Sequence, residues 1–326
     1  MNTEIQTPIS VLLDSRKYDP FYLPSKDQIL FTIQGKTIGT TQNFQILTGL
    51  PKAGKSTFLS ALISTVFSPS DLWGLKLHLP VERRKIAYFD TESSDYDFYR
   101  QVERIKNFAG INNIPDWCSL YTVREDEPKA ILEMVEHYLK ESGAPIVILD
   151  GLLDLIFDYN DPIESRKLIN WFKRLTKIYD CCIIGVLHQG KGAAGTTLGH
   201  LGSNTDRYAQ STIEIVKDKE KQTFTMSSRF LRSSDDFEPV TLINSGGEWQ
   251  QVSIYGDGKK QKPKKTELSE KDLLHRVLYQ PKKYKELVND LQEITGKGIS
   301  ASKGIVKEWI EKNYIHKQDD FYKILN

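Results

Sequence analysis

The chain is 326 residues long, 39% hydrophobic and 27% charged, and its formal net charge of +1 excludes a strongly basic or acidic whole. The length suits two domains with a sizeable core; no apolar run approaches the ~18 residues of a membrane span, and no basic-then-apolar leader opens the chain. The three cysteines lack metal-ligand spacing; Cys181 and Cys182 lie in an apolar run and Cys118 heads another strand, the usage of a reducing compartment, and a cytoplasmic location is the expectation.

Residues 1–28, with Asp14, Ser15, Asp19, Pro20, Pro24 and Ser25 among them, read as an arm with little regular structure. A hairpin follows, Ile29–Ile33 and Thr37–Ile38 around Gln34-Gly35-Lys36. The apolar strand Gln45-Ile46-Leu47 leads into Gly49-Leu50-Pro51-Lys52-Ala53-Gly54-Lys55-Ser56-Thr57, behind which Phe58, Ala61, Leu62 and Val66 continue as one helical face. Lys85–Asp90 is the next strand, ending in Thr91-Glu92. Ser93 or Ser94 can cap a helix over Asp95–Ala109, with Phe98, Val102, Ile105 and Phe108 inward. A strand at Ser119–Val123, a helix at Pro128–Glu141, a strand at Ala144–Gly151, a helix at Ile163–Tyr179 and a strand at Cys181–Gln189 complete the alternation. Strands that are near-continuously apolar and alternate with helices predict a mostly parallel sheet covered on both faces, an α/β core.

Beyond His188 the rhythm changes. Gly190–Asp206 is rich in Gly, Thr and Ser and reads as one long functional loop. Ser211–Val216, Thr223–Ser227 and Pro239–Ile243 follow as short strands that extend the sheet antiparallel. The core domain spans 29–255, and 256–267 is a basic linker.

Residues 268–326 form a small domain. Helices are expected at Glu270–Tyr279, at Tyr284–Thr295 and from Ser300 to Lys312, the last with Ile305, Val306 and Ile310 inward. A hairpin of Tyr314–Lys317 and Phe321–Leu325 turns at Asp319-Asp320. These are the parts of a winged helix-turn-helix. From Asp257 onward 16 Lys and Arg stand against 11 Asp and Glu, a net of +5 that leaves −4 on the preceding residues and points to a polyanion near the C-terminus. Lys303, Lys307, Lys312 and Lys317 are the DNA-contact candidates there, although Glu308 and Glu311 share the helix.

The spacing Gly49-x4-Gly54-Lys55-Ser56 is a phosphate-binding loop. Its glycines let backbone N–H groups close on phosphate oxygens at a helix start, where the dipole favours an anion. Lys55 would reach the β- and γ-phosphates of ATP, and Ser56 would complete a Mg²⁺ shell with Asp150, which ends a buried strand where an unpaired carboxylate is costly. Glu92, just past a strand end, can polarise the water that attacks the γ-phosphate, with Asp90 as the rival. His188 and Gln189 end the strand that follows that of Asp150 in the chain, and can touch the γ-phosphate.

In this order the residues resemble the RecA-like P-loop ATPases. Within them the chain looks most like the RepA-type hexameric replicative helicases and the related ATPases of mobile elements, over about Ile29 to Gln251. The resemblance implies a homo-hexameric ring with ATP between neighbours, and single-stranded DNA in the channel against the loop that carries Lys191 and His200. It also implies a trans-acting arginine on the transferring phosphoryl group, with Arg229 or Arg232 in the matching position and Arg207 a second candidate. Duplex DNA at the winged helix is a further possible contact. The function expected is an ATPase stimulated by single-stranded DNA, in replication or mobilisation of an element. The alternative is an ATP-switched DNA-binding regulator or loading factor without unwinding.

Overall fold

A computed structural model describes residues 9–190, 199–246, 248–252, 273–274, 277–278, 281–295 and 298–324. The chain divides into two units, Met1–Tyr255 and Gly256–Asn326. Lys191 and the linker 256–267 lie outside the described residues, as does most of the helix expected at Glu270–Tyr279. Among the described residues no helix is long and apolar enough to cross a membrane.

In the first unit the phosphate loop hangs from the middle of a nine-stranded sheet. The parallel part comprises β3 (Asn43–Gly49), β5 (Ile86–Asp90), β6 (Cys118–Thr122), β7 (Ile146–Asp150) and β8 (Cys182–His188). Next to β3, and still parallel to it, runs β9 (Ser211–Asp218). From there the sheet continues antiparallel through β10 (Thr223–Leu231), β11 (Val240–Ser245) and β12 (Glu248–Val252). The spatial order is β12-β11-β10-β9-β3-β8-β7-β5-β6. The α/β core with a mostly parallel sheet is therefore as expected.

The strands bury both faces because successive side chains alternate. Ile146 and Ile148 of β7 enter one hydrophobic cluster, Val147 and Leu149 the other; Ile184 and Val186 of β8 oppose Ile183 and Leu187 in the same way. Each such side chain contributes about 1.5–3 kcal/mol on full burial. One face is covered by α2 (Lys55–Ser64) and α3 (Asp95–Ala109), the other by α4 (Pro128–Ser142), α5 (Pro162–Ile178) and α6 (Gly199–Tyr208). Ser94 caps α3 by accepting from the Asp97 N–H, and Gly110 ends it with φ 66°. All three cysteines are free and buried in this core.

The hairpin β1 (Ile29–Ile33) and β2 (Lys36–Thr40) forms where expected, with positive φ at both Gln34 and Gly35. A third strand, β4 (Leu75–Leu77), joins it to make a separate small sheet; three residues carry too little periodicity to announce it.

Several expectations need correction. The described part of the arm holds one short helix, α1 (Ile9–Asp14), which the sequence did not announce. The loop expected over Gly190–Asp206 gives way to α6 from Gly199, held by the burial of Leu201 and Thr205. β10 runs on to Leu231, so Arg229 lies within a strand and not after one, and β12 was not foreseen.

The second unit contains the helices Tyr284–Thr295 and Ile299–Glu311 and a three-stranded antiparallel sheet of Lys282–Lys283, Phe321–Ile324 and Ile315–Gln318, in that spatial order. Its core gathers Leu273, Leu274, Val277 and Leu278 with Leu287, Leu291, Val306, Trp309 and Ile315. The inward residues of the helix Ile299–Glu311 are Ser302, Val306 and Trp309, spaced i, i+4, i+7. Ile310, expected inside, sits a further ~100° round the helix and is 42% exposed.

Candidate nucleotide-binding and hydrolysis site

The ends of β3, β8, β7 and β5 stand side by side, at the edge where parallel sheets hold ligands. The loop that starts there demands its glycines. A Cβ at Gly49 would lie 2.3 Å from the Ile215 carbonyl oxygen, and one at Gly54, where φ is +95°, would lie 2.9 Å from the Phe224 ring. Gly54 leads directly into α2, which leaves the first N–H groups of that helix turned toward the loop. In this stretch Ala53, Lys55 and Thr57 are buried, whereas Leu50, Pro51, Lys52 and Ser56 are exposed.

Lys55 is the hub. Its ammonium donates to the carbonyls of Gly49 and Leu50 at 3.1 Å each and to His188 Nδ1 at 3.0 Å, which engages all three protons. Burial lowers its pKa, against the opposing pull of Asp150 and Glu92. With Nδ1 accepting, the imidazole keeps its proton on Nε2, which donates to Glu92 Oε1 at 2.8 Å. That hydrogen bond holds the Glu92 carboxyl below its usual range, against the effect of burial. Lys55, His188 and Glu92 thus form one chain from the phosphate loop to a carboxylate whose side chain is 44% exposed.

Asp90 is occupied otherwise. Its Oδ1 accepts from the N–H groups of Glu92 at 2.9 Å and Ser93 at 2.7 Å, so it shapes the turn that presents Glu92. Its Oδ2 shares the single Tyr88 hydroxyl proton with Asp150 Oδ2, at 3.1 and 2.8 Å respectively, while Gln101 donates to the same hydroxyl at 2.7 Å. Asp90 and Asp150 are register partners on β5 and β7. Asp150 is pushed up to about 7, chiefly by burial, with Asp90 and Glu92 adding to the rise and the Tyr88 hydrogen bond opposing it.

A carboxyl with a raised folded pKa favours the fold while it stays protonated, and that advantage shrinks as pH rises toward about 7. Without metal, the wild-type melting temperature is therefore expected to fall relative to Asp150→Asn between pH 5 and 7.5. Parallel melts in chelator check this, and a constant difference between the two proteins removes the assignment.

Thr91 closes the edge. Its hydroxyl lies 2.6 Å from Asp154 Oδ2 and 3.0 Å from the Asp150 carbonyl oxygen. Tyr88, Thr91, Gln101 and Asp154 were all missed by sequence reasoning. Tyr88 had a usable signal, since it stands two residues before Asp90 and so shares its face of the strand; Asp154 had none.

Gln189 is buried and donates its side-chain amide to Glu214 of β9. Arg229 is paired with Asp206 of α6 at 3.2 Å, and the exposed Arg232 donates to the Arg207 carbonyl oxygen. His200 is exposed in the first turn of α6. In the second unit Lys307 pairs with Glu311 at 3.7 Å, Lys312 with Glu308 at 2.8 Å and Lys317 with Asp320 at 2.9 Å, while Lys303 is exposed.

Among the described residues no group of three or more His, Cys, Asp or Glu could hold a metal ion on its own. Mg²⁺ keeps one or two protein oxygens and takes the rest from phosphates and water. Ser56 and the buried Asp150 are the residues that would hold it.

A family model described as an AAA domain matches residues 39–194. No curated protein matches the chain. The matched stretch holds the phosphate loop, Glu92, Asp150 and His188, and supports a nucleotide-hydrolysing P-loop ATPase domain.

Proposed function

We propose that this protein hydrolyses ATP at the edge formed by β3, β5, β7 and β8 and uses the cycle to act on single-stranded DNA as a homo-hexameric ring. The observation that carries the reading is the chain Lys55–His188–Glu92, which joins a phosphate-loop lysine to a carboxylate through one imidazole. A γ-phosphate oxygen that takes over Lys55 and His188 frees Glu92 to accept a proton from the attacking water. That water forms the new P–O bond while the bond to the ADP oxygen breaks. Ser56 and Asp150 would hold a Mg²⁺ ion, which would supply neutralising charge to the phosphates. Of the two arginines, Arg232 is the exposed one and the better suited to a neighbour's phosphate, whereas Arg229 is engaged within its own chain.

The small unit resembles a winged helix in the order of its parts, a strand, two helices and a hairpin. Its paired lysines and a hairpin tip of Asp319-Asp320 make a poor surface for phosphates, which favours DNA engagement by the core. Phosphate release with and without oligo-dT, in the full chain and after deletion of Thr266–Asn326, tests this. Stimulation that survives the deletion is the expected result. DNA binding that disappears with the small unit would instead support the ATP-switched regulator or loading factor.

A further inference from the structure

α5 is a basic exception on an acidic unit. Between Pro162 and Ile178 it carries Arg166, Lys167, Lys173, Arg174 and Lys177 against the single acid Glu164, while the residues before Asp257 sum to −4. The cations are ordered. Arg166, Asn170, Lys173 and Lys177 recur at i, i+4, i+7 and i+11, a single stripe along the helix. All four are exposed, and Leu168, Ile169, Phe172 and Leu175 are buried on the opposite face. At 1.5 Å per residue the stripe is about 16 Å long from Arg166 to Lys177.

α6 packs beside it and supplies a support. The Arg166 guanidinium donates to the Tyr208 hydroxyl and sits 4.6 Å from the ring centroid; the Lys173 ammonium is 3.6 Å from the same centroid. One aromatic ring thereby holds two cations near each other. Arg174 is neutralised by a two-pronged pair with Glu136, at 2.8 and 2.7 Å. Among the described residues no carboxylate pairs with Arg166, Lys167, Lys173 or Lys177. Like charges this close on a helix repel, and an anion relieves them.

We propose that Arg166, Lys173 and Lys177, steadied by Tyr208, form a track for the sugar-phosphate backbone of a single DNA strand. The track rests on the reading that the protein acts on single-stranded DNA, and adds where the strand lies. A straight row of cations matches a linear polyanion better than it matches an acidic protein surface, which has no reason to repeat along a line. Tyr208 spends its ring on the two cations and not on a base, so the contact is with phosphates and independent of sequence.

The test is fluorescence anisotropy of a labelled thirty-nucleotide oligo-dT with the full chain, across a salt series, for wild type and the double variant Lys173→Glu, Lys177→Glu. Affinity at low salt is expected to fall at least about tenfold. Two lost phosphate contacts should also flatten the slope of log K against log salt by about 1.4, at ~0.7 each. An unchanged melting temperature excludes unfolding as the cause. Equal affinity and slope in the two proteins overturn the track while leaving the ATPase reading standing. A variant that changes assembly mass but not affinity overturns it too, and marks the stripe as a protein interface. A wild-type chain that binds no oligo-dT overturns both readings.

Discussion

Glu92→Gln is expected to slow ATP turnover by about 100- to 10,000-fold, the range over which a positioned general base acts, while nucleotide affinity stays within a few-fold of wild type. The substitution is informative because it preserves geometry. The amide oxygen of a glutamine can still accept from His188 Nε2, so the contact of His188 with Lys55 persists and only the basic oxygen is lost. Asp90 cannot take its place, because both of its oxygens are committed to the turn and to Tyr88. Since the hydrogen bond from His188 holds Glu92 below the ordinary value of 4.5, the carboxylate is ionised throughout the neutral range. Any loss of turnover between pH 8 and 6 must then arise elsewhere. Phosphate release alongside titration with a fluorescent ATP analogue separates the two quantities. Undiminished turnover in the variant would remove Glu92 from the role of base.

Gly151→Ala is expected to be a strongly damaging one-carbon change at this edge. The residue follows Asp150 with φ +117°, a region that side chains rarely adopt, and an added Cβ would lie 2.0 Å from the Thr91 hydroxyl oxygen. It would also meet Asp154 Oδ2 at 3.0 Å and Glu92 Cγ at 3.2 Å, so relief of one contact presses on the others. Backbone strain of this kind costs roughly 1–3 kcal/mol, and with the displaced hydroxyl a loss of about 5–10 °C in melting temperature is expected for a unit of this size. Turnover should fall as well, because Thr91 adjoins Glu92. A melt and a phosphate-release assay on the same preparation suffice; a variant with wild-type values for both shows that the edge yields without effect.

The sequence carried the site further than it carried the surroundings. The phosphate loop and the strand-end acids could be read directly, because glycine spacing and apolar runs ending in Asp are local signals. What escaped depends on partners far along the chain. α6 begins Gly199-His-Leu-Gly-Ser-Asn-Thr, a composition of poor helix formers, and is held by packing on α5 that no local pattern announces. Arg229 and Arg232 could be placed near the right strand, but their ties to Asp206 and Arg207 span more than 20 residues. Asp90 and Glu92 are told apart by the hydrogen bonds of the turn, which no local pattern announces.

The three buried thiols also give the protein a built-in clock. A thiol reacts as its thiolate, and burial pushes Cys118 and Cys181 up to about 12 and Cys182 well above the ordinary value. An alkylating reagent can therefore reach them only when the sheet opens, and the rate of labelling counts opening events. Every cysteine precedes Gly256, so the count reports on the first unit. A nucleotide that binds only the closed sheet should slow the clock in proportion to its occupancy, which makes labelling a measure of binding that needs no turnover at all.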